Sequence, residues 1–204
     1  MRVLAAVLLF AAPSLGSAQH VVPAAPAIGW RAAATDEDRG RLRGWRDAWV
    51  EALAQVRAGE HAGEIARGGA LFEPDLALAE PAPPAGDYDC RTFKLGTPAG
   101  DALDYVAYPA FRCRIRLAGG RLQFTKLTGS QRPVGTIFPD NGRRMIFLGT
   151  LMLGDETRAL RYGRDRERNL AGVVERVGPH RWRIAFPRPH HESLLDVIEL
   201  VPRR

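Results

Sequence analysis

RLQFTKLTGSQRPVGTIFPDNGRRMIFLGTLML, residues Arg121 to Leu153, carries the densest strand chemistry in the chain. Leu122 and Phe124 alternate with Gln123 and Thr125, the period of two that puts apolar side chains on one face of a strand. Gly129-Ser130 marks a turn, and Val134, Thr136 and Phe138 resume the pattern. At Pro139-Asp140-Asn141-Gly142 the chain is expected to fold back, because Asn and Gly both tolerate the positive φ of a tight hairpin. From Met145 to Leu153 both alternating sets are apolar. Met145, Phe147, Leu151 and Leu153 form one face, and Ile146, Leu148 and Met152 the other, so this strand needs cover on both sides.

The same period appears outside this meander. Upstream lie strand candidates Asp87 to Leu95 and Tyr105 to Leu117; in the second, Phe111, Cys113, Ile115 and Leu117 alternate with outward-facing Arg112, Arg114 and Arg116. Downstream come Gly172 to Val177, Arg181 to Phe186 and Leu194 to Val201. The count predicts a mainly β protein: a single antiparallel β-barrel-like or sandwich domain of about eight strands, over residues 86–204. βαβ alternation, a glycine-rich phosphate loop and a GxSxG elbow are all missing from the sequence.

Ahead of the β domain, residues 35–85 read as a helix and a connector. Thr35 is the N-cap, with Asp36, Glu37 and Asp38 in the first turn, where the helix dipole favours acids. One amphipathic helix is expected to run from there to about Arg57. Its stripe of Leu42, Trp45, Trp49, Leu53 and Val56 would pack outside the β domain, against the strand Met145 to Leu153. Trp45, Trp49, Phe147 and Trp182 are expected to be buried. Gly40 and Gly44 weaken the first turns.

Residues 1–18, MRVLAAVLLFAAPSLGSA, have a basic Arg2, a short apolar run and a small-residue ending, and so read as a secretory signal peptide cut near Ala18. A flexible leader, 19–34, follows. The apolar run is shorter than the roughly 20 residues that span a bilayer, and no later segment is long enough, so no transmembrane segment is expected. Export to the periplasm or beyond sets the reading of the two cysteines: Cys90 and Cys113, on adjacent predicted strands, are expected to close a disulfide.

The chain has 29 basic and 23 acidic residues, for a net charge of +6. The basic residues are 27 Arg and 2 Lys, a skew that resembles GC-rich codon usage and weakens the case for a nucleic-acid partner. Residues 86–204 hold 21 basic against 13 acidic side chains, whereas 19–80 hold 7 against 10.

Two groups of residues are candidates for function. The loop DETRALRYGRDRER offers Arg161, Tyr162, Arg164 and Arg168 as an anion site, since guanidinium forks suit carboxylate and phosphate. Its own acids Asp155, Glu156, Asp165 and Glu167 compete for the same arginines. The alternative site is His190-His191-Glu192, with Asp196 nearby. Adjacent side chains on extended backbone point to opposite faces, so the two histidines do not share a metal, and no metal or other cofactor is expected. Asp165 and Glu167 each have a neighbouring Arg that lowers a carboxylate pKa, the wrong direction for a glycosidase acid.

The motifs GDYDCRTFKLG, YPAFRCRI, GSQRPVG, FLGTLMLGDE, YGRDRERN and ESLLDVIELV together resemble a family of exported bacterial proteins catalogued as domain of unknown function 4893. That resemblance implies no activity, cofactor or catalytic residue. A fainter likeness, to small secreted barrels that inhibit metalloproteases, rests on the two-cysteine opening hairpin. The functional expectation is a non-enzymatic ligand-binding or inhibitory β-barrel module of the cell envelope. Its partner would be anionic: a small molecule, an envelope glycan, a lipid headgroup or an acidic protein surface. The competing expectation is a periplasmic hydrolase using the His190-His191-Glu192 loop, with its catalytic residues unassigned.

Overall fold

The computed structural model describes residues 29–98 and 103–203. The expected signal peptide and all of the leader before Gly29 lie outside the described residues. Eight strands follow one another: β1 (Gly86–Leu95), β2 (Tyr105–Ala118), β3 (Arg121–Lys126), β4 (Gln131–Asn141), β5 (Arg144–Leu153), β6 (Asn169–Gly178), β7 (Arg181–Pro187) and β8 (Leu195–Pro202). Each pairs antiparallel with the next, and β8 returns to β1, from Leu95 opposite Leu195 to Tyr88 opposite Pro202. The sheet is a closed barrel, and the sandwich alternative drops out.

Period-two alternation decides what lies inside. Met145, Phe147 and Leu151 of β5 point into the barrel, while Ile146 and Leu148 point out beneath the helices. Three rings stack edge to face down the interior: Phe124 to Phe147 at 5.9 Å and Phe147 to Phe186 at 5.4 Å. Gly135 and Gly149 face each other across β4 and β5, and a Cβ on either would fall within 2.7 Å of the Phe147 ring. At the end made by the β2–β3, β4–β5 and β6–β7 hairpins, Tyr88 and Trp182 fill the space. The Cys90–Cys113 disulfide also lies in this interior, joining β1 to β2. Its sequence separation of 23 residues is worth about 3 kcal/mol by chain entropy.

The β4–β5 reversal occurs where expected, but by other means. Neither Asn141 nor Gly142 takes a positive φ. A register shift between Pro139 and Asn141 tightens the ladder, and the Asn141 side chain accepts a hydrogen bond from the Arg143 backbone N–H at 2.9 Å.

The single helix expected over Asp36 to Arg57 is two helices, α2 (Asp36–Arg43) and α3 (Trp45–Ala58), after a short α1 (Trp30–Ala33) within the expected leader. Thr35 caps α2 as expected, accepting from the Asp38 N–H at 3.2 Å. The break is at Gly44, and it lets the two segments cover different strands. Leu42 of α2 packs on Ile146, Leu148, Ala171 and Val173, over β5 and β6. The stripe Trp49, Ala52, Leu53 and Val56 of α3 packs instead on Ala185, Val197, Leu195 and Phe93, over β7, β8 and β1. The expected partner of the stripe was therefore wrong: β5 is covered by α2. Trp49, Phe147 and Trp182 are buried, whereas Trp45 is half-buried at the join, with the Arg144 guanidinium 4.0 Å from its ring centroid.

After α3 come α4 (Ala62–Gly68) and a 3₁₀ turn over Gly69–Phe72. A buried arginine on β7 holds this segment. Arg183, fully buried, donates to the carbonyls of Leu71 at 2.9 Å and Glu73 at 2.8 Å, and to those of Pro74 and Leu76 at 3.2 Å. Its charge is balanced by buried Glu175 at 2.6 Å, which also pairs with Arg144 at 2.8 Å.

Candidate functional site

At the end opposite Trp182 the strands stop filling the interior. A cavity of about 420 Å³ opens there, within the range of small-molecule sites. Its apolar wall is Pro133, Leu151, Leu170, Phe186 and Ile198, all inward-facing positions on β4 to β8. Phe111 and Tyr108 of β2 and the Gly129-Ser130 turn close one side, and the loop Pro189 to Glu192 closes the other.

Two lysines enter this space, Lys94 from β1 and Lys126 from β3. They are the chain's two lysines among 29 basic residues. Both follow from strand alternation: Lys94 lies four residues beyond inward Cys90, and Lys126 two beyond inward Phe124. Their electrostatics differ. Lys94 stands opposite Asp196 across the β1–β8 ladder, with its Nζ 3.3 Å from that carboxylate and 3.0 Å from Glu192. Burial alone would lower the Lys94 pKa, but the two carboxylates outweigh it and raise it. Burial raises the Asp196 pKa, partly opposed by Lys94 and by the Ser193 hydroxyl, which donates to Asp196 at 2.5 Å.

Lys126 is 4% exposed, and none of the described carboxylates pairs with it. Its Nζ donates to the Gln131 carbonyl at 2.8 Å and sits 3.6 Å from the Phe111 ring centroid. Burial, reinforced by the nearby charges of Arg132 and Lys94, pushes its pKa down to about 8. A neutral carbonyl and an aromatic face soften that cost without cancelling the charge.

The residues picked out by sequence fall in two places. His190, His191 and Glu192 line the cavity mouth. The two histidine rings are 6.4 Å apart, Glu192 is engaged by Lys94, and His190 faces Glu37 at 3.4 Å and Glu167 at 3.8 Å. Among the described residues no set of three His, Cys, Asp or Glu side chains is placed to hold a metal.

Tyr162 lies elsewhere: its hydroxyl donates to Asp38 and accepts from the Thr35 N–H at 3.0 Å, so it fastens the start of α2 to the β5–β6 loop. Burial, then Asp38, pushes its pKa up to about 12. Arg168 pairs with Glu156, and with Asp165 at 3.4 Å, while Arg161 and Arg164 are exposed. The structure does not bring Arg161, Tyr162, Arg164 and Arg168 together around one space.

Sequence reasoning missed Lys94 and Lys126. The signal that could have found them is compositional: in a chain with 27 arginines, a position that keeps lysine stands out, and alternation places both inside.

Among the described residues no helix is long and apolar enough to cross a membrane. No curated protein and no solved structure matches the chain. A family model described as a domain of unknown function, DUF4893, matches residues 30–200, from the first turn of α1 into β8, and the chain belongs to that family.

Proposed function

We propose that this is an exported cell-envelope protein whose barrel binds a small molecule at its open end without transforming it. The observation that carries the reading is the cavity itself. It is a space of about 420 Å³ at the mouth of a closed barrel, with one apolar wall and a set of polar and charged groups that includes the buried Lys94 and Lys126. The disulfide and the signal-like residues 1–18 support export, because such bridges persist in oxidising compartments.

The hydrolase alternative draws on the same mouth, where His190, His191 and Glu192 stand. Against it, Glu192 is held by Lys94, and the Ser193 hydroxyl donates to Asp196, itself paired with Lys94, rather than to an imidazole.

The test uses a neutral apolar fluorophore, N-phenyl-1-naphthylamine, which brightens on leaving water. Purified protein is expected to bind it saturably at one site, and Leu151→Trp, which fills the space at the apolar wall, to abolish the signal while far-ultraviolet circular dichroism stays unchanged. Binding that survives the filled cavity would refute this reading.

A further inference from the structure

We propose that the ligand of the barrel mouth is a monocarboxylate, an apolar body carrying one carboxylate, and that Lys126 is its counter-ion. The inference rests on the small-molecule reading of the cavity and adds the chemistry of the head group.

The argument begins with which charges are already satisfied. Lys94 has two carboxylates, Asp196 at 3.3 Å and Glu192 at 3.0 Å. Lys126, 4% exposed and lining the same cavity, has none among the described residues. A buried ammonium without a counter-ion is costly, and the fold has softened that cost only with the Gln131 carbonyl and the Phe111 face. An ammonium has three donors, and one is used on Gln131. Among the described residues no anion lies within hydrogen-bond reach of this position, and the cavity is the space from which one can arrive.

Shape and charge narrow the class. Pro133, Leu151, Leu170, Phe186 and Ile198 supply an apolar wall for a carbon body, while Lys126 supplies the cation for its head. One unpaired cation suits one negative charge. A dianionic phosphate would set its second charge against Asp196 and Glu192. Gly129 keeps room beside the amine: a Cβ there would lie 2.8 Å from Nζ, and the backbone, at φ +89°, disfavours any other residue. Lysine also suits the role better than the arginine used elsewhere in the chain, because a compact ammonium leaves volume for the ligand that a guanidinium fork would occupy.

The experiment titrates octanoate, octanol, octyl phosphate and octylamine against wild type, Lys126→Met and Lys126→Arg, reading displacement of N-phenyl-1-naphthylamine. Octanoate is expected to bind wild type at least about tenfold tighter than octanol, as a charge-assisted hydrogen bond to a buried partner implies. It should also bind tighter than octyl phosphate and octylamine. In Lys126→Met the octanoate preference over octanol should disappear while the fluorophore still binds, which shows a folded cavity. Lys126→Arg should keep part of the preference. Equal binding of acid and alcohol by wild type, or an acid preference that persists in Lys126→Met, overturns the carboxylate assignment and leaves the small-molecule reading standing. Tighter binding of octyl phosphate reassigns the head group and likewise overturns it. Failure of the fluorophore and all four probes to bind wild type removes both readings.

Discussion

Replacing Lys126 by methionine should make the ligand-free protein more stable, the opposite of what a structural lysine would do. The fold lowers the Lys126 pKa from its ordinary 10.5 to about 8. That gap of roughly 2.5 pH units, at about 1.36 kcal/mol each, means that keeping the group charged in the folded state costs ~3 kcal/mol at pH 7. Methionine fills a similar volume without the charge. It loses the bond to the Gln131 carbonyl, worth about 1 kcal/mol, so the net gain should be ~2 kcal/mol. For a domain of this size that is about 4–8 °C in Tm.

The pH dependence gives a second readout. Because the folded pKa is depressed, the penalty is full below about 8 and fades between about 8 and 10.5, where the unfolded chain binds a proton that the native chain has released. Wild type should therefore close its gap to Lys126→Met across that window. Arg132 and Lys94, the cations that join burial in lowering this pKa, are retained in both proteins, as are the Asp196 and Glu192 carboxylates that pair with Lys94. The assay is urea denaturation, followed by tryptophan fluorescence and circular dichroism, at half-unit pH steps. A variant less stable than wild type at pH 7, or a difference that ignores pH, refutes the reasoning.

Three further outcomes are expected. Arg183→Met should cost about 3–5 kcal/mol, because it strips the carbonyls of Leu71, Glu73, Pro74 and Leu76 of their donor and leaves Glu175 half-paired. A loss under about 1 kcal/mol in urea melts would contradict the clamp, and the double variant with Glu175→Met should recover part of the loss. Cys90→Ser with Cys113→Ser should lower stability by about 3 kcal/mol in the same melts, whereas an unchanged midpoint would mean that the barrel interior holds β1 and β2 without the bridge. Arg161→Ala with Arg164→Ala, both exposed, should stay within about 0.5 kcal/mol of wild type and leave octanoate affinity unchanged; a tenfold loss of affinity would put the anion site back on that loop.

The strands were legible because their signal is local. Leu122 and Phe124, or Trp182, Ile184 and Phe186, declare their inward face within a few residues. Closure was not, since it depends on Leu95 meeting Leu195 across a hundred residues and no short window records that pairing. The helix was legible as amphipathic, yet its partner was not. Gly44 was visible as a weak point, but that the two halves settle on different strands is a tertiary outcome. Tyr162 was placed in an anion site because its neighbours are arginines, whereas its actual partner, Asp38, is 124 residues away. The lysines could have been read from composition and alternation together. That their charges are treated so differently depends on Asp196 and Glu192 coming back beside β1 when β8 closes the barrel.

The pairing of β1 with β8 bears on when the site comes into being. Every other ladder joins consecutive strands, so each can zip as a hairpin while the chain is still incomplete. The β1–β8 seam must wait for the last strand, and loop closure over that span is the slow, entropically costly event. Lys94 and Asp196 are direct partners on this seam, so the cavity is assembled by the same step that completes the fold. A chain clipped before β8, or stalled with the seam open, therefore lacks the enclosed cavity, whatever strands it keeps.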